Sequence, residues 1–356
     1  MTRTTIGSVT HSGDGTNGEN CVIVYPGRSS GDAPTITGSG RFHFRLHFRP
    51  DFVLTLVVAI ACSFAVVRFG LVTPILTLLP RAHARWERDA TFDDVVAIAR
   101  AADRLGFDHL TCSEHVAIPE PVAEVRGARY WDPLATFGAL SAHTERIAFA
   151  TFVLVLGYHH PLEIAKRYGT LDQVTGGRVI LGLGVGSLRE EFDLLDAPFV
   201  DRGARADDAI RALRACLGRA RPEYHGTHFD IAGVVVDPCA TRRDVPLWIG
   251  GRTARSLRRA VELADGWAPF ALEPHEVRTM LDRSADSPVW HERSEPLAVW
   301  LQPAALDPIG DPDATVTAIA ALQSAGATGV SVRLRHGSRD HLIEQMTALV
   351  ELVPPE

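Results

Sequence analysis

The stretch VPLWIGGRTARSLRRAVELADGW, residues 245–267, holds a strand, a turn, a helix and the start of a second strand. PLWIG (246–250) is a short apolar run of the kind that fills a buried strand. Gly250 and Gly251 end it. ARSLRRAVELA (254–264) then places Leu257, Ala260, Val261 and Ala264 on one face at helical spacing. GWAPF (266–270) opens the next apolar run. Strand, helix and strand in that order make the repeating unit of a parallel sheet, because parallel neighbours need a crossover of roughly a dozen residues or more.

The alternation extends in both directions. Upstream, RFGLVT (68–73) leads to a helix over FDDVVAIARAADRLG (92–106), whose apolar face carries Val95, Val96, Ile98, Ala99, Ala102 and Leu105. FDHLTCS (107–113) leads to DPLATFGALSAHT (132–144), IAFATFVLV (147–155) to PLEIAKRYGTLDQVT (161–175), and RVILGLG (178–184) to ARADDAIRALRACLG (204–218). Downstream, GWAPF leads to PHEVRTMLDRS (274–284), LAVWLQP (297–303) to PDATVTAIAALQSAG (312–326), and GVSVRLR (329–335) to RDHLIEQMTALVELV (339–353). EYHGTHFDIAGVVVDP (223–238) reads as a hairpin inserted between the fourth and fifth units. Eight strand–helix units in series predict an α/β fold, a closed (β/α)8 TIM barrel, rather than an open doubly wound sheet. In such a barrel chemistry gathers where strands end and loops begin.

The 356 residues carry a net charge of −7, with 46% hydrophobic and 22% charged residues, a composition that can bury a large core. No basic patch interleaved with aromatics is present, which argues against a nucleic-acid partner. Cys21, Cys62, Cys112, Cys216 and Cys239 are scattered without a C-x-x-C pair, a pattern that disfavours a zinc site or disulfide framework and suits a reducing cytoplasm. Lys166 is the single lysine among 36 basic residues, an arginine bias expected of a GC-rich genome.

Residues 1–66 break the pattern. The first 40 are rich in Gly, Ser and Thr without a period, and FVLTLVVAIACSFAVV (52–67) is an apolar run shorter than the ~20 residues that span a bilayer. This N-terminal leader reads as a membrane anchor, a disordered segment, or upstream sequence translated from a start ahead of the natural one. The abrupt onset of ordered patterning at Val67 favours the last. A helix over 52–66 is one expectation for the apolar run, and the barrel domain takes 67–356.

Several strand ends carry chemistry. The second strand ends in SEHV, which sets Glu114 and His115 at the mouth. An imidazole beside a carboxylate can move a proton near neutral pH, although a surface His–Glu pair has the same sequence. His159 and His160 are adjacent and point apart in an extended segment, and no H-E-x-x-H spacing occurs, so no metal is assigned. In GLGVGSLREE (182–191) the alternating Gly182, Gly184 and Gly186 leave room for a flat ring against the backbone. Glu190 and Glu191 follow, either one a ligand contact or both solvated. Gly250 and Gly251 let backbone N–H groups approach a phosphate at a helix N-terminus, where Arg252 adds charge and Thr253 stands next. Such a phosphate would belong to a nucleotide-like cofactor; a glycine turn with a threonine cap is the plainer alternative.

With these residues in view, residues 67 to about 353 resemble the bacterial luciferase-like monooxygenase superfamily, most nearly the branch of oxidoreductases that depend on the deazaflavin coenzyme F420. The likeness rests on GFDHLTCSEHV, TERIAFATFVLVLGYHHPLEIAKRYGTLDQVTGGRVILGLGVG, EEFDLL with RGARADD, and PLWIGGRTARSLRRAVELADGW. The resemblance implies a deazaflavin at the C-terminal mouth and a hydride passed between it and a small organic substrate. It casts His115 as the catalytic proton donor and sets Glu114 near the ring. It maps a non-proline cis peptide to Thr151–Phe152, gives Glu190 a cofactor contact, and puts the phosphate on Gly250, Gly251, Arg252 and Thr253. This chain departs from the family at Ser187, where relatives carry a tryptophan or a carboxylate, and at Glu114, where aspartate is usual. FMN shares the ring shape and the phosphate, so a two-component FMN monooxygenase is the alternative. A non-catalytic flavin-binding protein and, more remotely, a Rossmann dehydrogenase are the other readings. The resemblance admits a homodimer and selects no substrate.

Overall fold

A computed structural model describes residues 67–355 and the backbone of 43–48 and 52–57. From Arg68 onward strands and helices alternate: β1 (Arg68–Leu71), α1 (Phe92–Arg104), β2 (His109–Cys112), α2 (Pro133–Ser141), β3 (Ala148–Thr151), α3 (Pro161–Thr175), β4 (Val179–Gly184), α4 (Arg202–Cys216). The series continues with β5 (Leu247–Gly250), α5 (Ala254–Leu263), β6 (Gly266–Ala268), α6 (Pro274–Ala285), β7 (Ala298–Leu301), α7 (Pro312–Ser324), β8 (Gly329–Val332) and α8 (Arg339–Leu352). Each strand pairs in parallel with the next, and β8 returns to β1 with Gly329 opposite Arg68 and Val332 opposite Leu71. The sheet therefore closes on itself as a TIM barrel. A parallel bridge joins Val67 to Pro355 beside that closure.

Local chemistry explains the element boundaries. The Asp94 carboxylate accepts the Thr91 N–H at 2.9 Å, satisfying a donor that the first turn of α1 leaves free. Helix α3 opens on Pro161 and stops at Gly176, whose φ of 68° is left-handed. The face of α1 read from the sequence is buried at Val95, Val96, Ile98, Ala99 and Ala102, with Leu105 half-buried at its end. Every position of β2 and β8 is buried, since helices cover one side of the sheet and barrel contents the other. Phe137 on α2 and Phe149 on β3 are fully buried with ring centroids 5.2 Å apart, and burial of each contributes about 2–3 kcal/mol. Inside the ring, His109 at the start of β2 meets Trp248 and Trp300 edge-on at 5.1 and 4.6 Å. These large side chains pack together inside the barrel.

The expected insertion between α4 and β5 is a small antiparallel pair, Tyr224–His225 with Asp230–Ile231. Ahead of the barrel, and a unit by itself, His43–Phe48 pairs antiparallel with Phe52–Val57. Phe52–Val57 is thus a strand where a helix over 52–66 was one expectation. The alternation in HFRLHF and the β-branched residues of FVLTLV suit a period of two. The rest of the leader reading lies outside the described residues. Among the described residues no helix is long and apolar enough to cross a membrane.

Candidate active site

A cavity of about 940 Å³ opens at the C-terminal ends of the strands, toward the upper end of the size range of small-molecule and cofactor sites. Thr73 follows β1 into it, Ser113, Glu114 and His115 follow β2, and Phe152 and Val153 follow β3. Gly184 to Ser187 line it from β4, Gly250 to Thr253 from β5, Gln302 from β7 and Arg333 from β8. The loops after β1 and β2 and the start of α4 also reach it, through Glu87, Tyr130 and Arg202 among others.

His115 stands at the mouth with its Nδ1 2.6 Å from Glu191 Oε2 and its ring edge-on to Tyr130 at 4.5 Å. A carboxylate can only accept, so Nδ1 carries the proton and Nε2 is the nitrogen left for a ligand. Glu191 is fully buried and also accepts the Tyr158 hydroxyl at 2.7 Å and the N–H groups of Val116 and Ala117 at 2.6 and 3.2 Å. Burial alone would raise its pKa; the bonds from His115, Tyr158 and the backbone more than reverse this and hold it below the usual carboxylate range. Burial, reinforced by the Glu191 charge, pushes the Tyr158 phenol far up, so Tyr158 serves as a neutral donor. Glu190, which the resemblance made the cofactor contact, is exposed and outside the cavity lining. Consecutive residues on the short helix Arg189–Leu194 diverge by about 100°, which turns Glu191 inward and its neighbour to solvent. Sequence reading left the two equivalent because its only signal was the EE pair.

Glu114 is buried and lines the cavity, but its oxygens are engaged. Oε2 accepts the Val155 N–H at 2.7 Å, and Oε1 lies 2.6 Å from His159 Nε2. Ser113 Oγ donates to the Phe152 carbonyl at 2.8 Å. Two of these bonds clamp the segment 152–155 that bulges beyond β3 and the third ties Glu114 to His159, so Glu114 shapes the mouth through the bulge. Burial would pull the His159 imidazole down, yet the bond to Glu114 and its charge lift it above the usual histidine value. The cis peptide lies between Phe152 and Val153, one residue beyond the Thr151–Phe152 position that the resemblance gave. Thr151 itself is buried behind the cavity, its hydroxyl donating to the Gly182 carbonyl at 2.8 Å.

Glycines in and just beyond β4 and at the end of β5 make room for this bulge and for Phe192. A Cβ at Gly182 would lie 2.0 Å from the Thr151 carbonyl oxygen, and one at Gly184 would lie 2.4 Å from Val153 Cγ2. At Gly250 it would meet Val153 Cγ1 at 2.7 Å, and at Gly186 the Phe192 ring at 2.5 Å. The space read from the alternating glycines as room for a flat ring is thus filled by the protein's own bulge. Val153 in turn faces the cavity, and a planar ligand would rest on it.

After β5, Gly251 adopts a φ of 109°, a left-handed value that side chains rarely tolerate. Thr253 caps α5 by accepting the Ser256 N–H at 3.2 Å while Ser256 Oγ accepts the Thr253 N–H at 3.1 Å. The plainer threonine-cap reading therefore holds for Thr253. The N–H groups of Gly251, Arg252, Ala254 and Arg255 find no acceptor among the described residues. Four free donors at a helix N-terminus beside the Arg252 side chain fit an anion such as a phosphate. A cavity of this volume with an apolar ledge at Val153 and an anion cradle at the β5 end fits a flat tricyclic ring bearing a phosphorylated tail.

A model of the luciferase-like monooxygenase family matches residues 68–301. An F420-dependent glucose-6-phosphate dehydrogenase of Microbacterium testaceum is 31% identical over 181 residues that cover 50% of this chain and 52% of the relative. A solved F420-dependent secondary alcohol dehydrogenase, in complex with an F420–acetone adduct, superposes with a TM-score of 0.65 at 15% identity, covering 81% of this chain and 99% of that one. The oxygenating constituent of a Pseudomonas putida diketocamphane monooxygenase, a type II Baeyer–Villiger enzyme in complex with FMN, superposes with a TM-score of 0.61 at 17% identity, covering 81% and 98%. Over more than half its length, the chain belongs to the luciferase-like monooxygenase family and is an oxidoreductase of that family.

Proposed function

We propose that this chain binds coenzyme F420 and catalyses hydride transfer between the deazaflavin and a small organic substrate. The observation that carries the reading is the meeting, in one cavity, of the unpaired N–H cradle at residues 251–255 with the His115 imidazole held by Glu191. The cradle and Arg252 would hold the phosphate, and Val153 would support the ring. When bound, the cofactor supplies the redox chemistry. The protein orients the substrate and moves a proton at His115 Nε2. The kinship with F420-dependent relatives favours the deazaflavin over FMN. The free thiols of Cys112, Cys216 and Cys239 support a reducing, cytoplasmic setting.

Titration of the purified protein with F420 and with FMN, followed by absorbance and fluorescence, tests the reading. Tight binding of F420 with FMN weaker by roughly tenfold or more, a gap of about 1.4 kcal/mol, is the expected result. The reverse preference would make the chain an FMN-dependent monooxygenase. Binding with no turnover across a substrate panel would make it a flavin-binding protein without catalysis.

A further inference from the structure

Two polar side chains beyond neighbouring strands of the cavity wall lack hydrogen-bond partners among the described residues. The Gln302 amide stands one residue beyond β7, and its Nε2 is buried without a hydrogen bond. The Arg333 guanidinium stands one residue beyond β8, half-buried, with no hydrogen-bond or ion-pair partner among the described residues. Burial pulls the Arg333 pKa below its ordinary value, and the Glu87 charge only partly offsets this. Glu87 makes no ion pair with it, because its oxygens accept the Ile75 and Ala84 N–H groups at 2.8 and 2.7 Å. Glu114, the other carboxylate lining the cavity, is held by Val155 and His159. A buried amide and a half-buried guanidinium left without acceptors are costly unless a ligand supplies them.

These two groups sit on neighbouring strands, away from the phosphate cradle. From β5 to β8 is three strand spacings around the wall, roughly 14 Å. β8 adjoins β1, which adjoins β2, the strand that delivers His115. The N–H cradle and the Arg333–Gln302 pair are thus separate places on the rim, and His115 is fewer strands from Arg333 than from the cradle.

We propose that the substrate carries an anionic group, a carboxylate or a phosphate, which binds the Arg333 guanidinium and the Gln302 amide. This rests on the oxidoreductase reading above and assigns that site an acidic substrate class. The planar guanidinium presents paired donors to the two oxygens of such a group, and Gln302 adds a neutral donor beside them.

The test uses the full chain and benzoate, a small flat carboxylate, in calorimetric titrations with and without F420. Arg333→Met should weaken benzoate by roughly tenfold or more, the loss expected of a charge-assisted bidentate contact, and Gln302→Leu by a few-fold. Arg333→Lys, which keeps the charge, should recover most of the affinity and so separates a lost contact from a damaged fold. Gly251→Val, which closes the cradle, should leave benzoate binding unchanged. Benzoate bound equally by Arg333→Met and the parent overturns the proposal, as does failure of the parent to bind it. A tenfold loss of F420 affinity in Arg333→Met also overturns it, since the arginine would then serve the cofactor. If the parent binds benzoate through Arg333 but ignores F420, the anion station stands and the F420 reading falls.

Discussion

Glu191 accepts the Nδ1–H of His115 at 2.6 Å, and one buried acid thereby decides which nitrogen of the imidazole meets the cavity. The same carboxylate accepts from Tyr158 and from the backbone at Val116, so the acid that holds the imidazole is itself fixed in place. His115→Ala should lower kcat by roughly 10²–10⁴-fold while F420 affinity stays within a few-fold of the parent. Glu191→Gln should lower kcat by about 10–100-fold with KM little changed, because the amide no longer enforces the tautomer. Steady-state F420 kinetics on a substrate found by screening measure both, and an unchanged rate in His115→Ala removes the imidazole from the chemistry.

The His159–Glu114 pair makes the bulge pH-sensitive. The folded-state pKa of His159 is raised above its ordinary 6.5, so the stability it adds is full below pH 6.5 and is lost as pH rises through the folded value. At pH 6, His159→Gln should be less stable than the parent by about 1–3 kcal/mol, the worth of a hydrogen bond to a charged group. The gap should narrow toward pH 9. Urea denaturation at both values reads it, and a gap that widens with pH contradicts the assignment.

Val153 fills space that Gly184 and Gly250 leave open, which sets up a compensation experiment. Gly184→Ala puts a methyl 2.4 Å from Val153 Cγ2 and should displace the bulge, reducing F420 affinity by roughly tenfold. Val153→Ala removes the clashing methyl, so the double variant should bind better than Gly184→Ala alone. Strict additivity of the two changes would show that the residues do not meet.

Gly251→Val should weaken F420 by roughly tenfold or more, through a φ of 109° that valine resists and a Cβ 3.1 Å from Ser256 Cβ. Fluorescence titration gives the number, and circular dichroism shows whether the barrel persists. Retained affinity would move the phosphate elsewhere.

The barrel was legible because its strands are buried on both faces and its helices on one, so continuous apolar runs alternate with stretches of period 3.6, broken by one hairpin insertion. The turn from β5 into a threonine-capped helix was legible as well, since Gly250, Gly251 and a helix start are local features. What escaped was set by contacts distant in sequence. Glu191 and Glu190 differ only in which way a six-residue helix turns them, and the meeting of Glu191 with His115 spans 75 intervening residues. Gly184 reads as space for a ligand until Val153, brought from another strand, is seen to occupy it. Gln302 and Arg333 look ordinary in LAVWLQP and GVSVRLR because an absent partner leaves no mark in a sequence.

The bridge between Val67 and Pro355 makes the order of the units along the chain incidental to the shape they enclose. A short linker across that seam, with fresh ends cut at the exposed turn near Gly233, would give a rearranged polypeptide with the same ring and the same chamber.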